Sequence, residues 1–418
     1  MSAQYVRRTL PWFIGALGTA LLVALLMLLW RGSAPWWLVD FSVYRFGAET
    51  IAGTGDLYLV TTPYTLLSFT YPPIAALMFL PFTLGSMTLA GFVWVAVDAV
   101  FLVGAIWLTL GAVGVRDRTH RAALTVPLAL LAVLLVPVDY EFAFGQLNLM
   151  LMFLILLDLL KGDGRRWQGV AIGVAAGIKL IPLIYVVYLA CTGRIRAAVT
   201  ALGAFAATIV LAFVVLPAES VSYWFGPGLS VSRPGVPMGP LNQALRGVFA
   251  RLLGTDEAVN PAWLVTAVVV GLAGVAAAIM LHRKGFALRG MLVCALTALL
   301  VSPVSWVPHW VWAVPLLIVL GGLAWQRRSA WWLAVTVVTA AVFGLRPMFW
   351  FLPDKAFIPA PLPENLAMPL WQQLAAATYA LLAIGLVAIL TWPVLRRTSA
   401  PDELVVSGPA GERPARTP

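Results

Sequence analysis

Long apolar runs separated by short polar or Pro/Gly-rich breaks repeat along the whole chain. They fall at about 11–30, 86–110, 122–138, 146–160, 168–190, 197–216, 261–281, 288–302, 309–325, 330–346 and 370–395. A helix needs about 20 apolar residues to cross a bilayer, so these runs predict membrane-spanning helices. The run at 168–190 is unlike the rest, because Lys179 and Pro182 interrupt it in the stretch IKLIP. Arg165 and Arg166 precede it and Arg194 and Arg196 follow it, so basic clusters stand at both ends. A segment that enters and returns as two short helices fits that pattern and brings the prediction to about twelve segments. Residues 73–84 (PIAALMFLPFTL) are too short and too Pro-bounded to span, and are expected to dip into the outer leaflet.

The cations decide the orientation. With twelve segments, alternate connections carry Arg116, Arg118 and Arg121; Lys161, Arg165 and Arg166; Arg194 and Arg196; Arg283, Lys284 and Arg289; Arg327 and Arg328; and Arg396 and Arg397. Adding Arg7, Arg8, Arg413 and Arg416 puts 19 of the 27 cations on one face, and the positive-inside rule makes that face cytoplasmic. Both termini are then cytoplasmic, and the first apolar run is an uncleaved helix rather than a signal peptide. The opposite face receives the long connections 31–85, 217–260 and 347–369, with the short turns VDYEFAFGQ and SPVSWVPHW. These hold ten of the 17 acids and are rich in aromatic residues, so chemistry is expected there. The expected organisation is one transmembrane domain over 1–397 and a disordered cytoplasmic tail over 398–418, rich in Pro, Gly, Ser and charge.

Composition agrees. Hydrophobic residues make up 61% and charged residues 11%, which excludes a soluble domain. The net charge of +10 could suggest nucleic acid, but bilayer orientation accounts for it and no nucleic-acid partner is expected. Cys191 and Cys294 lie at or within apolar segments and read as core residues. The three histidines are far apart, no DxD pair occurs, and there is no GxGxxG or GxxxxGK[ST] loop. Neither a metal, a cofactor nor a soluble nucleotide is therefore expected. A transporter would concentrate polar groups at mid-membrane in two related halves, whereas only Asp98, Asp158 and Lys179 are ionisable within spans.

Several residues could carry chemistry. Asp40 follows an aromatic pair at the water–membrane boundary, where partial desolvation would make it a base; capping a helix over 41–52 is the structural alternative. In FTYPPIAAL, Tyr71 and two prolines form either a rigid corner or a wall for a lipid-linked substrate. Gln146 and Asn148 could hold sugar hydroxyls or cap the next helix, and Asp139 and Glu141 read as solvated loop charges that stay as secondary candidates. An unpaired intramembrane lysine costs about 2.5–3.5 kcal/mol, so Lys179 should have an anion near it, either a phosphate or a protein carboxylate. Arg233, Arg246 and Arg251, with Asn242 and Gln243, sit where the positive-inside rule disfavours cations; lipid headgroups or Asp256 and Glu257 are the alternative partners. Arg246 and Asn242 share a face if LNQALRGVFARL is helical. His309, at an outer helix end, could act as a base, bind phosphate or simply pack.

The ordered set DFSVYRFGAETIAGTGDLY, FTYPP, FGQLN, GIKLIP, LNQ followed by Arg246, and SPVSWVPHW resembles the polyprenol-phosphate-dependent membrane glycosyltransferases of glycosyltransferase family 87. Within that family it is most similar to the actinobacterial members that extend phosphatidylinositol mannosides. The resemblance implies an all-α polytopic GT-C fold of about twelve transmembrane helices with long outer-face loops. It implies inverting transfer of mannose from polyprenyl-phosphate-mannose to a phosphatidylinositol mannoside glycolipid, forming an α-(1,2) linkage at the outer face of the plasma membrane. It makes Asp40 the catalytic residue and gives His309 a place in the site, with Tyr44, Tyr71, Gln146, Asn148, Lys179, Asn242, Gln243 and Arg246 as expected substrate-binding residues. One departure is that Pro308 stands before His309 where family members often carry two adjacent histidines, which puts a two-histidine proton relay in doubt.

Overall fold

Every predicted apolar run becomes a helix or a bent pair of helices. The computed structural model describes residues 3–32, 37–53, 55–63, 65–226, 228, 239–254, 261–350 and 369–395, so Arg233, Asp256, Glu257 and the C-terminal tail lie outside the described residues. The helices are, in order, α1 (Ala3–Arg31), α2 (Val39–Ala52), α3 (Pro73–Phe79), α4 (Met87–Ala112), α5 (Arg118–Ala132), α6 (Val136–Phe144), α7 (Asn148–Lys161), α8 (Val170–Ile178) and α9 (Ile184–Cys191). There follow α10 (Ile195–Val215), α11 (Pro217–Phe225), α12 (Leu245–Leu253), α13 (Pro261–Arg283), α14 (Ala287–Val301), α15 (Ala313–Arg327), α16 (Ala330–Leu345), α17 (Leu370–Ala376) and α18 (Thr378–Leu395). Tight 3-10 turns at Leu80–Thr83, Ile181–Leu183 and Val307–Trp312 extend or join them. Among the described residues there is no strand, only isolated bridges between Thr61 and Ser68 and between Asn242 and Trp306.

The protein is a membrane protein. Among the described residues four helices, Met87–Ala112, Ile195–Val215, Pro261–Arg283 and Val307–Arg327, are long and apolar enough to cross a bilayer, and up to six if each bent pair is one span. The bent pairs are α5 with α6 at 75° and α17 with α18 at 68°. α14 is buried along nearly its full length, whereas α10 and α13 turn Val199, Val210, Val265 and Leu272 outward. Exposed aliphatic side chains of that kind are ordinary where the solvent is lipid.

The predicted break at Lys179 is present: α8 stops at Ile178, Lys179 is extended, and the Ile181–Leu183 turn leads into α9. α8 is held at its start and along its body. Its first turn donates backbone N–H groups of Gly169 (2.8 Å), Ala171 (2.9 Å) and Ile172 (3.2 Å) to the buried carboxylate of Asp158. Its body touches α10 so closely that a Cβ on Gly173 would lie 2.3 Å from the Ala201 carbonyl oxygen.

Three expectations are corrected. VDYEFAFGQ is mostly helix α6, not a turn, and its Asp139 and Glu141 are buried at 1% and 0% exposure rather than solvated. Asp139 receives Arg31, from the end of α1, through Nε (2.8 Å) and Nη2, and Arg346, just after α16, at 2.8 Å. That pairing gives Arg31 and Arg346 a structural reason. Cys294 is buried as expected, but Cys191, at the end of α9 before a turn, is exposed.

Candidate active site

The N-terminus of α2 carries the first half of the site. Leu38 enters the helix in the left-handed region (φ 57°) and offers no side-chain cap, and its backbone N–H donates to the Ala143 carbonyl at 2.6 Å. Asp40 lies inside the first helical turn, so the reading of Asp40 as an N-cap is set aside. Its Oδ2 accepts from Gln146 Nε2 at 2.9 Å. Gln146 Oε1 in turn accepts from the hydroxyls of Tyr44 (3.0 Å) and Tyr71 (3.4 Å), which lie 2.9 Å from each other. Burial pushes both phenols above their ordinary range, so they remain neutral donors.

Asp40 is partly exposed, while its neighbours Phe41, Tyr44 and Gln146 are buried. Burial raises its carboxyl to about 6, against the Gln146 hydrogen bond and the Lys179 charge, which both favour the ionised form. Such a group is ionised at neutral pH yet more basic than a surface aspartate, as a general base requires.

The α6–α7 turn carries the second half. Gly145 ends α6 at φ +66°, and Gln146 N–H closes back on the Glu141 carbonyl at 3.0 Å. The Glu141 side chain, not Gln146 or Asn148, then caps α7: its Oε1 accepts from the backbone N–H groups of Asn148 and of Leu149, the latter at 3.0 Å. The capping alternative for Gln146 and Asn148 is thus taken by Glu141, leaving both amides to face the site. A Cβ on Gly145 would sit 2.7 Å from Phe41 Cβ in α2. Gly145→Ala is expected to destabilise the fold by at least about 1 kcal/mol and to push α2, with Asp40, away from Gln146; thermal unfolding and activity measured side by side check this.

Lys179 joins the two halves to the SPVSWVPHW motif. Its Nζ donates to Asn148 Oδ1 at 2.9 Å, lies 2.9 Å from His309 Nε2, and sits 5.4 Å above the centroid of the Tyr71 ring. Its close partners are uncharged; the carboxylates of Asp40 and Glu141 act on it from further away. With the ammonium donating, Nε2 of His309 is an acceptor, so the ring is neutral and carries its proton on Nδ1. The predicted anion beside Lys179 is therefore not a directly bonded protein carboxylate.

A cleft opens at this point. Asn148, Lys179 and His309 line its polar end, and Leu151, Met152, Ile155, Pro182, Ala298 and Trp312 are among the apolar residues along the rest. One cation and two neutral polar groups heading an apolar groove suit a ligand with an anionic head and a hydrocarbon tail. Among the described residues no three His, Cys, Asp or Glu side chains come together as a metal would need.

Seven of the residues singled out from the sequence meet here: Asp40, Tyr44, Tyr71, Gln146, Asn148, Lys179 and His309. Asn242, Gln243 and Arg246 do not join them. Asn242 Oδ1 accepts from Ala244 N–H (3.2 Å) and Ser305 N–H (3.0 Å), bracing the turn that leads to His309. Gln243 is spent on Pro240 O, Ala376 O and Tyr379 N–H. Arg246 is buried with its guanidinium 5.8 Å over the Trp263 ring. Since α12 begins at Leu245, Asn242 and Arg246 do not share a helix face. Arg251 donates to the carbonyls of Gly239, Asn242 and Ala376, which is a structural clamp. Glu141 is the site residue that the sequence offered only as a secondary candidate. Its signal was its place seven residues before Asn148, one turn of chain away from the next helix start.

Residues 69–303 match the model of glycosyltransferase family 87. The chain is 31% identical, over 88% of its length and 88% of the relative's, to a polyprenol-phosphate-mannose-dependent alpha-(1-2)-phosphatidylinositol mannoside mannosyltransferase of Mycobacterium tuberculosis. It is 32% identical to the protein of the same description from Mycolicibacterium smegmatis, over 94% of this chain and 92% of that one. A polyprenol-phosphate-mannose-dependent alpha-(1-2)-phosphatidylinositol pentamannoside mannosyltransferase of M. tuberculosis is 34% identical over 72% of this chain and 71% of its own. No solved structure matches the chain. The family match spans more than half of the chain and these relatives cover most of it, so the protein belongs to glycosyltransferase family 87.

Proposed function

We propose that the protein transfers mannose from polyprenyl-phosphate-mannose to a phosphatidylinositol mannoside, forming an α-(1,2) linkage at the outer face of the plasma membrane. The observation that carries this reading is the cleft with Lys179, Asn148 and His309 at its head, hydrogen-bonded through Gln146 to Asp40. The phosphate of the donor occupies the polar end and its prenyl chain follows the apolar wall. The sugar is then held toward Asp40, with Gln146, Tyr44 and Tyr71 presenting hydrogen-bonding groups around it.

The reaction needs a single displacement. An acceptor hydroxyl attacks the anomeric carbon of the β-mannosyl phosphate, its proton passes to Asp40, and the bond from that carbon to the phosphate oxygen breaks. Polyprenyl phosphate leaves as an anion of low basicity, so no acid is required, unlike the two carboxyls of most glycosidases. Lys179 stabilises the charge that grows on the departing phosphate, and it does so from a fixed position in a dry site. His309 and Asn148 hold the Lys179 ammonium in place from two sides. No metal enters this scheme. The site lies at the outer face in a GT-C arrangement of about twelve segments with both termini cytoplasmic, a reading supported by the distribution of cations along the chain.

Purified protein given polyprenyl-phosphate-mannose and a phosphatidylinositol mannoside is expected to produce a lipid heavier by one hexose, equally well with a chelator present. GDP-mannose or polyprenyl-phosphate-arabinose as sole donor is expected to give none. Product from either of those donors instead, or loss with the chelator that added divalent metal restores, overturns the reading.

A further inference from the structure

Glu141 is not among the residues lining the cleft, yet it hydrogen-bonds one that is, Asn148. Its Oε1 accepts the backbone N–H groups of Asn148 and Leu149, and its Oε2 accepts from Asn148 Nδ2 at 2.8 Å. It is fully buried. An asparagine amide can present either its oxygen or its NH2 in a given direction, and only its partners decide which. Both Glu141 oxygens accept here, Oε1 from the two backbone N–H groups and Oε2 from the Asn148 NH2, which leaves Asn148 Oδ1 to face Lys179, 2.9 Å away.

We propose that Glu141 is a positioning residue for the donor phosphate: by fixing the Asn148 amide it holds the Lys179 ammonium at the head of the cleft. This rests on the reading of that cleft as the phosphate site. Glu141 serves α7 as a cap at the same time, and the two roles are separable. Glu141→Gln keeps an oxygen for the two backbone N–H groups, but it sets an NH2 against Asn148 Nδ2. Two donors cannot face each other, so the Asn148 amide turns over and presents its own NH2 to Lys179. The lysine loses an acceptor and meets a donor in its place.

The test is binding of polyprenyl phosphate to the full-length protein in nanodiscs, compared for wild type and variants of matched thermal stability. Glu141→Gln is expected to raise Kd by about tenfold, the size of a lost charge-assisted hydrogen bond. A capping role alone predicts wild-type affinity for Glu141→Gln, and that result overturns the proposal. Lys179→Met separates the two levels. If it leaves Kd unchanged, the phosphate reading falls and this inference with it; if it weakens binding while Glu141→Gln does not, only this inference falls. Should Glu141→Gln not fold, Asn148→Ala decides: a Kd raised about tenfold sustains the link through Asn148, and wild-type affinity ends it.

Discussion

Asp40→Asn is expected to lower the rate of mannosyl transfer by about 10²- to 10⁴-fold, the range that a positioned general base contributes. The substitution is nearly isosteric, and the new amide oxygen can still accept from Gln146 Nε2, so α2 and the substrate contacts stay in place. Folding is not expected to suffer. A carboxyl lifted to about 6 by burial is more readily protonated in the folded chain than in the unfolded one, whose ordinary value is near 4. Between those values the folded state holds the proton and the unfolded state does not, so this group's contribution to stability falls as pH rises from about 4 to about 6 and stays low above that. Asn lacks that penalty. The variant should therefore unfold at the same temperature as wild type or higher at pH 8, with the difference vanishing near pH 4. The same value shapes the rate: wild-type activity is expected to fall as pH drops through about 6, and the residual activity of Asp40→Asn to lack that limb. A variant with near wild-type activity would leave Asp40 no part in the chemistry.

Lys179→Met is expected to reduce kcat/KM by about 10²- to 10³-fold, because it removes the one cation among Asn148, Lys179 and His309 at the head of the cleft. Met matches the lysine stem and leaves the apolar wall intact, and deleting a buried ammonium removes its desolvation cost. Unfolding is expected at or above the wild-type temperature, so the loss belongs to the site. The split is informative. Donor affinity should drop with kcat, because Lys179 binds the phosphate both before and during its departure, whereas Asp40→Asn should leave donor affinity nearly unchanged. Equal donor affinity in Lys179→Met and wild type would place the phosphate elsewhere.

The helices were legible in the sequence because lipid-facing and core-facing residues are both apolar, so a span is read from length alone. The break at Lys179 was legible for the opposite reason, a charge and a proline where an unbroken helix would tolerate neither. α6 was not. VPVDYEFAF is packed on all sides, so it shows no amphipathic stripe, and its two acids imitate a solvated turn. The partners of Asp139 lie far away in the chain, at Arg31 and Arg346, while Glu141 turns onto the start of α7 a few residues on. Gln243 failed in the same manner, since its partners Ala376 and Tyr379 are 133 and 136 residues distant. Single polar residues in outer loops look alike in sequence whether they brace a turn or face a substrate. The seven that do meet lie on elements that the α6–α7 turn and the Lys179 break bring to one place.

The most direct test of a single displacement assisted by Asp40 is the configuration of the new bond. Wild-type protein is given β-linked polyprenyl-phosphate-mannose carrying 13C at the anomeric carbon, and the lipid product is examined by NMR. An α-linked mannose on the acceptor, formed by wild type and not at a comparable rate by Asp40→Asn, is the predicted result. A β-linked product, or an α-linked one formed equally fast by both proteins, would contradict it.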